Sequence, residues 1–341
     1  MKLFEPSTIQ NLSLRNRCIM PPMCTYQVSS HDGKATSFHH AHYVAPAIGG
    51  VALVIIEATA VSPEGRISDK DLGLWNDSQI PGLSNLVQGI HDAGSKVALQ
   101  LAHAGRKCMA VDGVDEILSS SALAYDDTYR TPRAMNESDI ERVIDEFRQA
   151  ARRADKAGVD ALEIHAAHGY LINQFISPKT NIRTDRFKDP SLFLSLILKA
   201  INEVWPKGKA LWVRVSATDY SPTGYAVKDL IAILEKVSGM IDAVHVSSGG
   251  VVPVNFPIYP GYQVSFASDI KQALALPTIA VGMLSSPDLA EYVLQSESAD
   301  FIAVGRGLLR NPNWLLEAAL THHEEFFEGL PEYLRRGFPL H

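Results

Sequence analysis

Cysteine is scarce in this sequence. The three residues present, Cys18, Cys24 and Cys108, are odd in number and widely spaced. No disulfide framework is encoded, and a reducing compartment is expected. Long apolar runs are missing as well. The longest, Val51 to Ile56, falls far short of the ~20 residues a membrane-spanning helix needs. Met1 to Pro6 opens without the apolar core of a secretory leader. Basic charge does not dominate, since 31 Lys and Arg face 38 Asp and Glu for a net charge of -7. Without a basic stripe, a partner with a phosphate backbone is excluded. No Pro/Ser-rich linker or low-complexity tract divides the chain, so residues 1–341 read as one domain. The expectation is a cytoplasmic protein that engages neither membrane nor nucleic acid.

What is present is a repeating alternation. Short β-branched runs read as strands near Cys18–Met20, Ala52–Glu57, Lys96–Leu101, Ala161–His165, Leu211–Ser216, Ala243–Ser247, Thr278–Val281 and Phe301–Val304. Segments of helical period lie between them, most clearly at Glu137–Ala157. There Ile140, Val143, Phe147, Ala151 and Ala154 recur at three- and four-residue spacings. Asn136 is placed to cap the start of this helix and Gly158 to end it. Ile80–Ala93, Leu192–Val204, Val227–Val237 and Pro287–Leu294 read in the same way. Eight strand–helix units over this length predict an α/β fold, a single (β/α)8 TIM barrel. The alternative is a doubly wound protein of two domains. The polar segment Lys107–Arg133 exceeds a plain connection and reads as an elaborated loop that could cover the barrel mouth.

In a barrel, chemistry gathers where strands end. Cys24 and Tyr26 follow the first strand, Gln100 and His103 close the third, and His165 and His168 the fourth. Arg214 and Ser216 end the fifth, Ser247-Ser248-Gly249 follow the sixth, Gly282 the seventh, and Gly305-Arg306 the eighth. One shared polar site is expected. Alternation turns Glu163, His165, Arg214 and Ser216 toward the axis, and Leu162, Ile164, Val213 and Val215 toward the helices. An inward arginine needs an anion or an electron-rich ring to meet it. Gly305-Arg306-Gly307 lacks the third glycine and the later acidic residue of a dinucleotide fingerprint. At a barrel strand end, however, glycines let backbone amides approach a phosphate. His165 and His168 with His103 also fit a metal site, as in a hydrolase or aldolase barrel. That reading leaves Gln100, Arg214 and Gly305 without a role, and no metal is expected. His39, His40, His42, His322 and His323 read as structural, and Cys18 and Cys108 as packing residues.

Several stretches, in this order, resemble the old yellow enzyme family of flavin ene-reductases. They are Pro21-Pro22-Met23-Cys24-Thr25-Tyr26, Gln100-Leu101-Ala102-His103-Ala104-Gly105-Arg106-Lys107, His165-Ala166-Ala167-His168-Gly169-Tyr170-Leu171, Arg214-Val215-Ser216, Ser247-Ser248-Gly249 and Val304-Gly305-Arg306. Cys24, Tyr26 and His168 are similar to the thermophilic-like bacterial branch. The resemblance implies a tightly but noncovalently bound FMN. Pro21, Pro22, Met23 and Cys24 would line one side of its ring system, with Ala58 nearby, and Gln100 would meet the pyrimidine edge. Arg214 would sit near N1 and O2, where negative charge collects on the reduced flavin. Ser248, Gly249, Gly282, Gly305 and Arg306 would surround the phosphate, and the Cys24 thiol would tune the flavin potential.

The resemblance further implies NADPH or NADH as hydride donor and enones or related activated alkenes as substrates. His165 and His168 would hold the carbonyl oxygen, Tyr26 would join the substrate site, and Tyr170 or water would deliver a proton. A homodimer or homotetramer is implied too, with Arg336 in the tail Arg335-Arg336-Gly337-Phe338 reaching a neighbouring site. One departure stands out. Arg183-Thr184-Asp185-Arg186-Phe187-Lys188-Asp189-Pro190 lacks the family's Gly-Gly and shortens that loop. From another function class, the alternative is a flavin-binding scaffold without catalysis.

Overall fold

The computed structural model describes residues 1–109, 113–324 and 332–336. Eight parallel strands lie in chain order: β1 (Cys18–Met20), β2 (Leu53–Ala60), β3 (Lys96–Ala102), β4 (Ala161–Ala166), β5 (Ala210–Ser216), β6 (Ala243–Ser247), β7 (Thr278–Ala280) and β8 (Phe301–Ala303). Strand β8 pairs with β1, and β1 with β2, so the sheet closes on itself. A closed sheet rules out the doubly wound alternative. The strand assignments agree with the sequence pattern except at β2, which continues to Ala60 through a register irregularity between Ile56 and Thr59.

Crossover helices follow the strands: α1 (Ser37–Ile48), α2 (Ile80–Asp92), α3 (Glu137–Lys156), α4 (Leu192–Asn202), α5 (Val227–Glu235), α6 (Val264–Leu274), α7 (Pro287–Gln295) and α8 (Trp314–Thr321). Helix α3 is capped as expected. The Asn136 side chain accepts from Asp139 N–H, and the Asp139 carboxylate accepts from Asn136 N–H in return. Helix α1 lacks a clear aliphatic period because it carries Pro46 and buries His39 and Tyr43 in place of aliphatic residues. His39 has the structural role expected of it, accepting Thr36 N–H on Nδ1 at the start of that helix. Among the described residues no helix is long and apolar enough to cross a membrane.

Strand alternation divides the core in two. Leu162, Ile164, Val213 and Val215 pack outward against the helices. Leu53, Ile55, Trp212, Ile279 and Phe301 fill the barrel interior. A hairpin of Ser7–Ile9 and Leu12–Leu14 delivers Ile9, Leu12 and Leu14 to that inner cluster. The plug seals the N-terminal end of the barrel with apolar side chains. Polar chemistry is thereby left to the other end.

Candidate active site

Parallel register brings the inward polar residues level with one another. Gln100 pairs with Glu163 and Glu163 with Trp212; in the next inward layer His165 pairs with Arg214 and Arg214 with His245. Ser216 pairs with Ser247 at the rim. All of these side chains are buried. The shared site expected from the strand ends is therefore real as a cluster.

The histidine pair is its sharpest feature. The His165 ring stands edge to face against His168 at 5.2 Å and against Tyr170 at 4.8 Å. Burial, and then the Arg214 charge, pushes His165 down to about 3, so the ring is neutral. Its Nδ1 accepts Ala167 N–H at 3.3 Å, which leaves the proton on Nε2. His168 is also held neutral, by burial and then by Arg214 and His165. Its Nε2 lies 2.7 Å from Ser247 Oγ. Ser247 Oγ is 3.3 Å from Gln263 Oε1, which already accepts from Ser248 Oγ at 2.6 Å. The Gln263 amide oxygen has two lone pairs and accepts from both hydroxyls, and the direction of the His168–Ser247 bond sets which His168 nitrogen carries the proton.

The turn that aims His168 is strained. His168 has φ 58°, in the left-handed region, and Gly169 follows at φ 76°. Ser216 Oγ accepts His168 N–H at 2.9 Å, and Lys107 Nζ donates to His168 O at 3.0 Å. A Cβ on Gly169 would stand 2.2 Å from Gly250 O, so only glycine fits this approach. Arg106 and Lys107 also fasten the 107–133 loop. Arg106 donates to the carbonyls of Leu123 and Ala124, and the Lys107 ammonium lies 4.5 Å from the centre of the Tyr125 ring. The 183–190 loop is held by Arg183, which reaches Asp185 and the carbonyls of Ser120 and Met135.

Cys24 hydrogen-bonds the backbone of Ala58, and Tyr26 lies beside it, 41% exposed. Burial, then Asp71 and Glu57, pushes the Cys24 thiol up to about 12. It is a protonated thiol rather than a thiolate nucleophile. Tyr170 is likewise held as a neutral phenol, chiefly by burial. His103 stands apart from the histidine pair. Its Nδ1 accepts Gly105 N–H at 3.0 Å, and its ring faces Gly65. Among the described residues no three His, Cys, Asp or Glu side chains gather as metal ligands.

A cavity of about 250 Å³ opens beside this cluster, and Arg214, Ser247, Gly282, Gly305 and Arg306 are among its lining residues. Gly305 approaches Met23 and Pro21 closely, since a Cβ there would stand 3.3 Å from Met23 Sδ and 3.5 Å from Pro21 Cγ. Tyr262, Gln263, Ser285 and Arg310 also line the cavity. Sequence reasoning missed these four; Tyr262 and Gln263 lead into α6, a helix absent from the sequence pattern. Ser248 and Gly249 are not on this lining. Ser248 Oγ receives Tyr220 OH at 3.0 Å, and Gly249 N–H donates to Thr218 O at 2.9 Å. Arg336 is exposed after the short turn Glu332–Arg335, while Gly337 and Phe338 of the tail lie outside the described residues.

Arg214 tests whether a flavin fits. Its guanidinium is buried, makes one long bond of 3.4 Å to Pro22 O, and leaves Nε without a partner. A desolvated cation so poorly satisfied calls for an anionic or electron-rich planar ligand. With two further arginines along the cavity, FMN fits these residues.

The model of the NADH:flavin oxidoreductase / NADH oxidase family matches residues 2–324. The chain belongs to this family. A relative, the NADPH dehydrogenase of Clostridium acetobutylicum, is 47% identical over 324 residues, covering 94% of this chain and 95% of that protein. The NADPH dehydrogenase of Listeria welshimeri is 46% identical over 340 residues, 98% of each chain. Among solved structures, morphinone reductase superposes with a TM-score of 0.81 at 27% identity, covering 94% of this chain and 89% of that one. A complex of morphinone reductase with tetrahydroNAD superposes equally well, covering 94% of this chain and 91% of that one. As a member of the NADH:flavin oxidoreductase family, the protein is an FMN-dependent NAD(P)H oxidoreductase.

Proposed function

We propose that the protein is an ene-reductase that saturates the alkene of α,β-unsaturated carbonyl compounds. NAD(P)H and the alkene occupy the same site in turn. The observation that carries this reading is the pair of neutral imidazoles 5.2 Å apart at the barrel mouth. FMN, when bound, supplies the two-electron carrier that takes hydride from NAD(P)H and delivers it to the alkene β carbon.

The chain's own residues bind and polarise. With Ser247 donating to its Nε2, His168 keeps its proton on Nδ1, and His165 Nε2–H and His168 Nδ1–H converge on the carbonyl oxygen, where negative charge grows as hydride reaches the β carbon. Tyr170, a protonated phenol against His165, holds the proton for the α carbon. Pro21, Pro22, Met23, Cys24 and Ala58 would flank the flavin ring, Gln100 would meet its pyrimidine edge, and Arg214 its N1–O2 side. Gly282, Gly305 and Arg306, which line the cavity, would receive the phosphate, with Ser248 and Gly249 behind them. Tyr26 shapes the mouth. In a homodimer or homotetramer, the partner subunit's Arg336 completes it.

Anaerobic stopped-flow tests the reading. The holoenzyme is reduced with NADPH or NADH and then mixed with enones, maleimides and nitroalkenes. Fast reoxidation by enones is expected. A flavin that is reduced yet passes electrons to no activated alkene would favour a binding or scaffold protein instead.

A further inference from the structure

Below the histidine layer lies a carboxylate with no assigned role. Glu163 is fully buried and is met by three donors. Gln100 Nε2 reaches its Oε1 at 2.7 Å, while Trp212 Nε1 and His245 Nδ1 both reach its Oε2 at 2.7 Å. Burial opposes its charge, but His245, Arg214 and Trp212 outweigh that and hold it below the usual carboxylate range. Burial keeps His245 neutral, so its Nδ1–H donates to the anion.

The consequence falls on Gln100. An amide has a donor end and an acceptor end, and either can face either way unless a neighbour decides. A carboxylate accepts only, so Glu163 binds the Nε2 end. The Gln100 carbonyl oxygen and the second Nε2 hydrogen are then left for whatever binds above. We infer that Glu163 is a positioning residue that fixes the Gln100 amide with its oxygen toward the flavin pyrimidine ring, where it accepts the N3–H bond. This rests on the placement of the FMN pyrimidine edge at Gln100.

The same geometry dictates what a neutral isostere would do. The Trp212 indole N–H is only a donor, so an amide at position 163 must turn its oxygen toward Trp212. Its NH2 then faces Gln100, which has to swing its own oxygen down to accept. Glu163→Gln therefore inverts Gln100 and presents a donor to N3–H, where two donors oppose each other. Exchanging the two residue types, Gln100→Glu with Glu163→Gln, restores both bonds, because the carboxylate now at 100 accepts from below and above.

The test uses holoenzyme carrying FMN labelled with 15N at N3, read by NMR, with the FMN dissociation constant measured in parallel. In the wild type the N3–H proton is expected downfield and slow to exchange. In Glu163→Gln it moves upfield and exchanges faster, and FMN binds about tenfold more weakly. The exchanged pair recovers both readings. If the N3–H signal is unchanged in Gln100→Ala, Gln100 does not meet N3 and the placement of the flavin edge fails, taking the inference with it. If Gln100→Ala alters the signal but Glu163→Gln leaves it as in the wild type, the inference alone is overturned. Should Glu163→Gln yield no folded protein, Gln100→Glu by itself sets two carboxylates against each other and should weaken FMN binding. Adding Glu163→Gln must then restore it, and failure to do so overturns the inference.

Discussion

Each imidazole at the barrel mouth carries one proton, and a neighbour decides which nitrogen holds it. For His165 the neighbour is the Ala167 amide, and for His168 it is the Ser247 hydroxyl. Ser247→Ala removes that control without touching the ring. The loss of one such bond, about 1 kcal/mol, should raise the enone KM roughly fivefold. Reduction by NADPH should change little, and steady-state kinetics with an unchanged enone KM would show that Ser247 does not orient His168. The inward directions of His165 and Arg214 were readable from strand alternation alone. The left-handed backbone of His168 was not, because it depends on Ser216, Lys107 and the close approach of Gly169 to Gly250. Ser248 and Gly249 were placed correctly at the end of β6. Their hydrogen bonds, however, go to Gln263 and Thr218, partners that only the fold supplies.

At the scale of elements, strand β2 holds the loop bearing Cys24. Glu57, buried in β2, accepts from Thr25 N at 2.9 Å, Thr25 Oγ1 at 3.1 Å and Tyr43 OH at 2.7 Å. Burial nevertheless raises it from 4.5 to about 7. The folded protein thus keeps this proton up to about pH 7, while the unfolded chain loses it near 4.5. Between those values the folded state binds more protons, so this group makes stability fall as pH rises and level off above 7. Glu57→Gln should flatten that part of the profile by on the order of 3 kcal/mol. Denaturant titrations at several pH values check this, and parallel profiles for variant and wild type would refute it. Strands were the most legible elements, since β-branched runs bounded by turns recur eight times. Helices α1, α6 and α8 and the N-terminal hairpin were not. Pro46 and the buried His39 mask the period of α1. The hairpin turns on Gln10-Asn11, with Gln10 at φ 53°, rather than on the Asn-Gly pair that announces such turns.

Over the whole molecule, the two ends of the barrel have opposite character. Ile9, Leu12 and Leu14 close one end, and the polar layers of Gln100, Glu163, His165, Arg214 and His245 open at the other. The polar end was legible in the sequence as polar residues at the strand ends, whereas the apolar plug was not, because its hairpin went unrecognised. In the proposed oligomer, Arg336 reaches a second subunit's mouth. Removing residues from Arg336 onward should raise the enone KM several-fold while leaving the far-UV circular dichroism unchanged; unaltered kinetics would remove the tail from the site. The central claim is that His165 and His168 act on the carbonyl substrate. It is tested most directly by the rate at which an enone reoxidises the NADPH-reduced His165→Ala/His168→Ala enzyme in anaerobic stopped-flow. Loss of two donors to a developing oxyanion predicts a drop of about a hundredfold or more, far exceeding any change in the rate of reduction by NADPH. Enone reoxidation at the wild-type rate, or an equal loss in both half-reactions, would contradict it.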